Sequence, residues 1–200
     1  QETLDFAKEI GKVPEEVIPA LYNALSAGIP RENVFDFLRT ASSGAVAGVS
    51  DLTTSVDGLS SVVNAYGSEV LNVNEASDIM FATLKLGKTD FTQIANTVSN
   101  VIPVASAIGV KFHDIGAAIA VMTAQGTPTA KATTQIRQAL VELNTEGSIA
   151  YETFKSITGK TFREFIEGGG NLQEALNLMS ETASYNKKEV TSLFSSVEAG

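Results

Sequence analysis

The 200-residue sequence predicts an all-α fold, a multi-helix antiparallel bundle of αα-hairpins with short loops marked by Gly and Pro. Three observations carry this. Apolar residues recur with a period near 3.6 in segment after segment. Gly or Pro stands at nearly every junction between those segments, as expected of helix stops and starts. No run of β-branched residues alternates strictly enough to form a strand.

In chain order, residues 2–10 form a helix stopped by Gly11. Pro14 takes a first helical position, and Glu15 and Glu16 favour the positive end of the helix dipole. Val17, Ile18, Leu21 and Leu25 are its expected buried face, with Pro19 about one turn in and Gly28 at the end. Pro30 opens the next helix, with Val34, Phe35, Leu38, Ala41 and Ala45 on one side. Its second half, Ala41 to Gly48, is made of small residues that allow close approach by a neighbour. Ser50 is the expected N-cap of a helix carrying Leu52, Val56, Leu59, Val63 and Tyr66. Those five have heptad spacing over two heptads, too short to argue for a coiled coil. Asn74 is the expected cap of the next helix, with Ala76, Ile79, Met80 and Thr83 inward and Gly87 at its end.

The mid-chain stretch Phe91–Leu143 organises the prediction. Between Phe91 and Ala130 only Lys111 and Asp114 carry a formal charge, His113 aside. Thr89 or Asp90 caps its first helix, which runs through Phe91, Ile94, Ala95, Val98, Ile102 and Ala105 and is kinked or shortened by Pro103. After Gly109 come Ile115, Ala118, Ile119 and Met122; after Gly126 and Pro128 come Ile136, Ala139, Leu140 and Leu143. The reading is two consecutive hairpins sharing a middle helix that is apolar almost all round, hence a core helix. Short helices follow near 148–157 and 161–167, then a flexible break at Gly168-Gly169-Gly170. Asn171 caps a helix with Leu172, Ala175, Leu176 and Met179, and Val190, Leu193, Phe194 and Val197 mark a last one. The organisation expected is a helical core over 1–147 and a smaller C-terminal helical segment over 148–200, continuous with the core.

Bulk properties narrow the function. The hydrophobic fraction of 44% with 18% charged residues is that of a globular chain. A net charge of −9 argues against binding nucleic acid through its phosphates. The chain has no cysteine, which excludes disulfides and thiolate zinc sites. The start reads as helix interior rather than a signal peptide, and both ends suggest a piece of a longer protein. Val101–Met122, the best candidate for a membrane span, is interrupted by Pro103, Lys111, His113 and Asp114, whereas a span needs about 20 nearly uncharged residues.

Motifs that resemble chemistry fail on context. Gly87-Lys88-Thr89 and Gly159-Lys160-Thr161 end like phosphate-binding loops, but Ala82 and Phe154 stand where the first Gly belongs and no strand precedes either. Gly168-Gly169-Gly170 lacks the spacing of a dinucleotide fingerprint and reads as a hinge or loop. The single histidine, His113, reads as a polar residue at a helix start. Glu164 and Glu167 share a helix face and are expected to be an exposed acidic face rather than an acid–base pair. The stripe Ile115–Met122 reads as core, ahead of a surface for partner helices or lipid. No catalytic, cofactor-binding or metal-ligating residue is assigned, and no cofactor is expected.

Several runs together resemble a known family. They are Gly11-Lys12-Val13-Pro14-Glu15-Glu16-Val17, Leu25-Ser26-Ala27-Gly28-Ile29-Pro30, Val63-Asn64-Ala65-Tyr66-Gly67 and Asn74-Glu75-Ala76-Ser77-Asp78. The best match runs from Ala105-Ser106-Ala107-Ile108-Gly109-Val110 through Ala118–Gly126 into Ala132–Leu140. Their order and spacing over Leu4–Ser180 resemble the core region of phage tail tape measure proteins. Pro19 and Pro103 depart from the pattern within helices. The resemblance implies a non-enzymatic virion protein that sets tail length during assembly and leaves ahead of the DNA at infection. It implies partners among the tail tube protein, tail assembly chaperones and baseplate or tail tip proteins, with self-association and host membrane contact on ejection as further ones. It implies no specific nucleic acid binding, and a location in the tail lumen of the virion or, during assembly, the host cytoplasm. A membrane-active injection segment and a helical adaptor without a phage role are the alternatives. The Gly and Pro breaks predict a compact module, with ruler length supplied elsewhere.

Overall fold

Twelve α-helices and one 3-10 turn make up the described residues, 2–185, of the computed structural model, with no strand among them. The helices are packed as a bundle, as the periodicity predicts. By packing they divide between Ser99 and Asn100 into two units. The expected helix at Val190–Val197 lies outside the described residues.

The first unit contains α1 (Glu2–Glu9), α2 (Pro14–Ser26), α3 (Val34–Ala47), α4 (Leu52–Tyr66), α5 (Val73–Leu86) and α6 (Phe91–Thr97). At its centre is α4, which touches α2, α3, α5 and α6. Leu52, Val56, Leu59 and Val63 are all buried there. Glycines let the neighbours approach. A Cβ on Gly58 would stand 2.7 Å from Ala95 Cβ, and one on Gly48 would stand 2.4 Å from Phe91 Cβ. The small residues at the end of α3 thus seat Phe91, the first residue of α6, on Gly44 and Gly48.

One polar atom is out of place in this core. Among the described residues the buried Ser55 hydroxyl has no hydrogen-bond partner. A buried donor without a partner costs about 1–3 kcal/mol. Ser55→Ala is therefore expected to stabilise the chain by about 1 kcal/mol, seen as a rise of roughly 4–8 °C in the melting temperature of a unit this size. A fall in melting temperature would show that the hydroxyl is satisfied.

The second unit contains α7 (Ile102–Ile108), α8 (Phe112–Ala124), α9 (Thr129–Leu143), α10 (Ile149–Thr158), α11 (Phe162–Glu167) and α12 (Leu172–Tyr185). α9 touches α7, α8 and α10, and α12 touches α8 and α10. Phe112, Ile115, Ile119 and Ala120 of α8 are buried. Phe154 takes Phe162 and Phe165 edge-on at centroid separations of 5.6 and 5.4 Å. Position 147 falls inside this unit. On either side of it α10 packs on α9, and Ser148 Oγ donates to the Glu142 carbonyl at 2.6 Å.

Several local expectations are corrected. The stretch Phe91–Ala105 is not one helix: α6 ends at Thr97, a 3-10 turn spans Val98–Asn100, and Pro103 sits in the first turn of α7. The buried face of α2 is Val17, Ala20 and Ala24, and Ile18 is 55% exposed. Pro30 leads a turn, so α3 starts only at Val34. Asp51, not Ser50, caps α4, accepting from Thr54 N–H at 2.8 Å. Asn72, not Asn74, caps α5 in a capping box with Glu75. In α8 the apolar character does not mean burial all round, since Val121 is 54% exposed.

Candidate functional site

The residues singled out for chemistry are held in structural duties. Gly87 closes α5, its N–H donating to the Thr83 carbonyl, and Asp90 caps α6 through Gln93 N–H at 2.8 Å. Gly159 closes α10 and Thr161 caps α11, so each Gly-Lys-Thr bridges two helices rather than a strand and a helix.

Glu164 completes the α11 capping box. Its Oε2 accepts from Thr161 N–H at 2.8 Å and Thr161 Oγ1 at 2.9 Å. The Thr161 amide first, and the Thr161 hydroxyl next, hold the Glu164 carboxyl below its usual range, with Lys155 and Lys160 adding charge. A carboxylate fixed as a cap is the opposite of a raised, proton-donating acid. Glu167 ends α11 exposed.

The glycine triple forms a hydrogen-bonded turn. Gly170 N–H donates to Phe165 O and Gly169 N–H to Ile166 O, each at 3.0 Å, the paired bonds of a Schellman helix end. Gly170 has no room for a side chain, because a Cβ there would fall 2.2 Å from the Phe165 ring. Of the expected hinge or loop, the structure shows the loop, as a hydrogen-bonded turn between α11 and α12.

His113 is solvent-facing, with Nδ1 3.5 Å from Asp114 Oδ1. Asp114 turns its other oxygen to the start of α12, where Leu172 N–H donates to it at 3.4 Å. Arg163 reaches back to the Ala107 carbonyl at 2.9 Å. These bonds tie α11 and α12 to the α7–α8 hairpin. Among the described residues no group of three His, Asp or Glu side chains is placed to hold a metal ion, and no helix is long and apolar enough to cross a membrane.

What the geometry offers is a framework of capped, short helices around two apolar cores. Sequence reasoning missed two of its features. One is the close seat of α6 on Gly58, where α4 and α6 meet through Ala95; at Gly48 the close approach was expected but its partner, Phe91, was not. The other is the corner at Val49, a β-branched residue with φ of 52°.

The profile of the phage-related minor tail protein family matches residues 1–197. The chain belongs to that family. It is also 37% identical, over 98% of its length, to the probable tape measure protein of Clostridium phage phiCD119 (strain Clostridium difficile/United States/Govind/2006). It spans 22% of that relative's length. No solved structure matches it significantly. Membership makes this a phage tail structural protein, and the likeness to a probable tape measure protein covers nearly the entire chain.

Proposed function

We propose that this chain is a folded structural module of a tape measure protein, which sets tail length during assembly and is ejected ahead of the DNA. The observation that carries the reading is the likeness to a probable tape measure protein along nearly the entire chain. Glu164 is tied up as a helix cap and Glu167 is exposed at the end of the same helix, which supports a role without catalysis. In this reading it lies in the tail lumen of the virion, after assembly in the host cytoplasm. The tail tube protein, tail assembly chaperones and baseplate or tip proteins are its partners. The net charge of −9 keeps it from clinging to the DNA that follows it.

A continuous helix of 200 residues would span about 300 Å. Two folded units of about 100 residues are each roughly 35 Å across. Tandem duplication of this segment in the phage is therefore expected to lengthen tails by less than about 100 Å, measured by electron microscopy. Lengthening by about 300 Å would mean the segment serves as an extended rod. Unchanged tails would remove it from length setting.

A further inference from the structure

The corner between α3 and α4 is built against the usual rule for helix ends. Ser50 N–H donates to Ala45 O at 2.8 Å and Val49 N–H to Val46 O at 3.4 Å, which makes a Schellman end with Val49 in the left-handed seat. That seat normally takes glycine. Every other positive-φ residue among the described ones is a glycine. The nearby glycine, Gly48, stands one position early, where Phe91 leaves no room for a Cβ. Val49 is strained and 92% exposed, so nothing in the folded unit rewards a valine there.

A straight helix would reward it. Leu38, Ser42 and Ala45 precede it on α3; Leu52, Val56, Leu59 and Val63 follow on α4. The steps between successive members, Val49 included, alternate four and three residues from Leu38 to Val63 without a slip. A corner has no reason to preserve helical phase, yet this one does. All the members except Val49 are buried in the folded unit.

We infer that this corner is a conformational switch: α3 and α4 join into one helix, Val34–Tyr66, whose seam is covered by a second copy of this chain. The joined helix has 33 residues (14 and 15 from the two helices, plus the four of the corner) and is about 50 Å long. Straightening takes the seam from its present neighbours. A heptad seam is best covered by another of the same phase, which an identical chain supplies. Asp51 gives up its cap on Thr54 and falls outside the seam. The switch is a property of the chain in solution and does not depend on the tail-length reading.

The test uses the whole chain, which has no cysteine of its own. Cysteines replacing the exposed Asp36 and Asn64 carry spin labels, and pulsed dipolar spectroscopy reads their separation. In the joined helix they are 28 residues, or about 42 Å, apart. In the folded unit they lie far closer, because Asn64 donates to the Ala27 carbonyl at 2.6 Å, beside the chain that leads into α3. A population near 42 Å is expected to grow with protein concentration, together with dimer mass in sedimentation. Val49→Gly relaxes the corner and weakens the joined helix, and should cut that population roughly 5- to 30-fold. Gly48→Ala, which collides with Phe91 only in the folded unit, should raise it. A Val49→Gly chain that opens as readily as the parent overturns the proposal. So does the absence of the long distance from both parent and Gly48→Ala, including a Gly48→Ala chain that merely loses helix.

Discussion

Ile119→Asp is expected to unfold the unit that begins at Asn100. Ile119 is 1% exposed in the middle of α8, which touches α7, α9 and α12. Truncating a buried Ile alone costs about 2–5 kcal/mol. A carboxylate left there without a partner adds several more, or takes up a proton and still forfeits the packing. The sum is comparable to the roughly 5–15 kcal/mol that holds a domain together. The check is helical circular dichroism with thermal melting: the parent should melt cooperatively, and the variant should lose helix and aggregate. Melting within a few degrees of the parent would mean this face is open to solvent.

Gly58→Val is expected to be the most damaging change in the first unit. The added Cβ would stand 2.7 Å from Ala95 Cβ and 2.8 Å from Ala95 Cα, so the obstacle includes backbone and cannot swing away. α4 and α6 must part, although α4 is the helix on which the unit is built. Overpacking a core costs about 1–3 kcal/mol, and here the upper end applies because the whole contact has to move. The melting temperature should fall by roughly 10–20 °C. A variant as stable as the parent would show that α6 does not sit on α4 at this distance.

Much of the fold was legible because helix ends are written in few residues. Gly11, Gly28, Gly109 and Gly159 each end a helix where the periodic pattern stops. Capping residues were harder. Ser50 and Asp51 are adjacent, and both are good caps. Asp51 accepts from both the amide and the hydroxyl of Thr54, and those paired bonds decide the start of α4. Asn72 wins over Asn74 because only Asn72 has Glu75 three residues on to complete the box. Both choices depend on side-chain reach, which periodicity does not carry.

The buried face of α2 was misjudged for a related reason. Reading Ile18 as inward assumed that the largest apolar residues face the core. The structure buries the small Ala20 and Ala24 instead, and leaves Ile18 and Tyr22 55% and 70% exposed. Alanines admit a close neighbour, here α4, whose own large side chains fill the space. Which partner is large and which small is a property of the pair, invisible in either helix alone. The break at Val98–Asn100 was half legible. Pro103 announced a disruption, and the structure turns that disruption into the end of one packing unit and the start of another. For the site, sequence context already argued against nucleotide loops at both Gly-Lys-Thr runs, since neither follows a strand. The cap held by Glu164 was not foreseen, although Thr161 three residues before it spells a capping box.

The nearly uncharged middle of the chain is packed interior, with Ile115 and Ile119 of α8 buried. Hydrogen exchange of the intact chain tests this most directly. Amides of Ile115–Ala120 in α8 and of Val56–Ser60 in α4 should be among the slowest to exchange, opening only with their whole unit. If α8 exchanged as fast as the turn at 144–147 while the chain kept its helical signal, the apolar stripe would be a surface, and the packed-core account would be wrong.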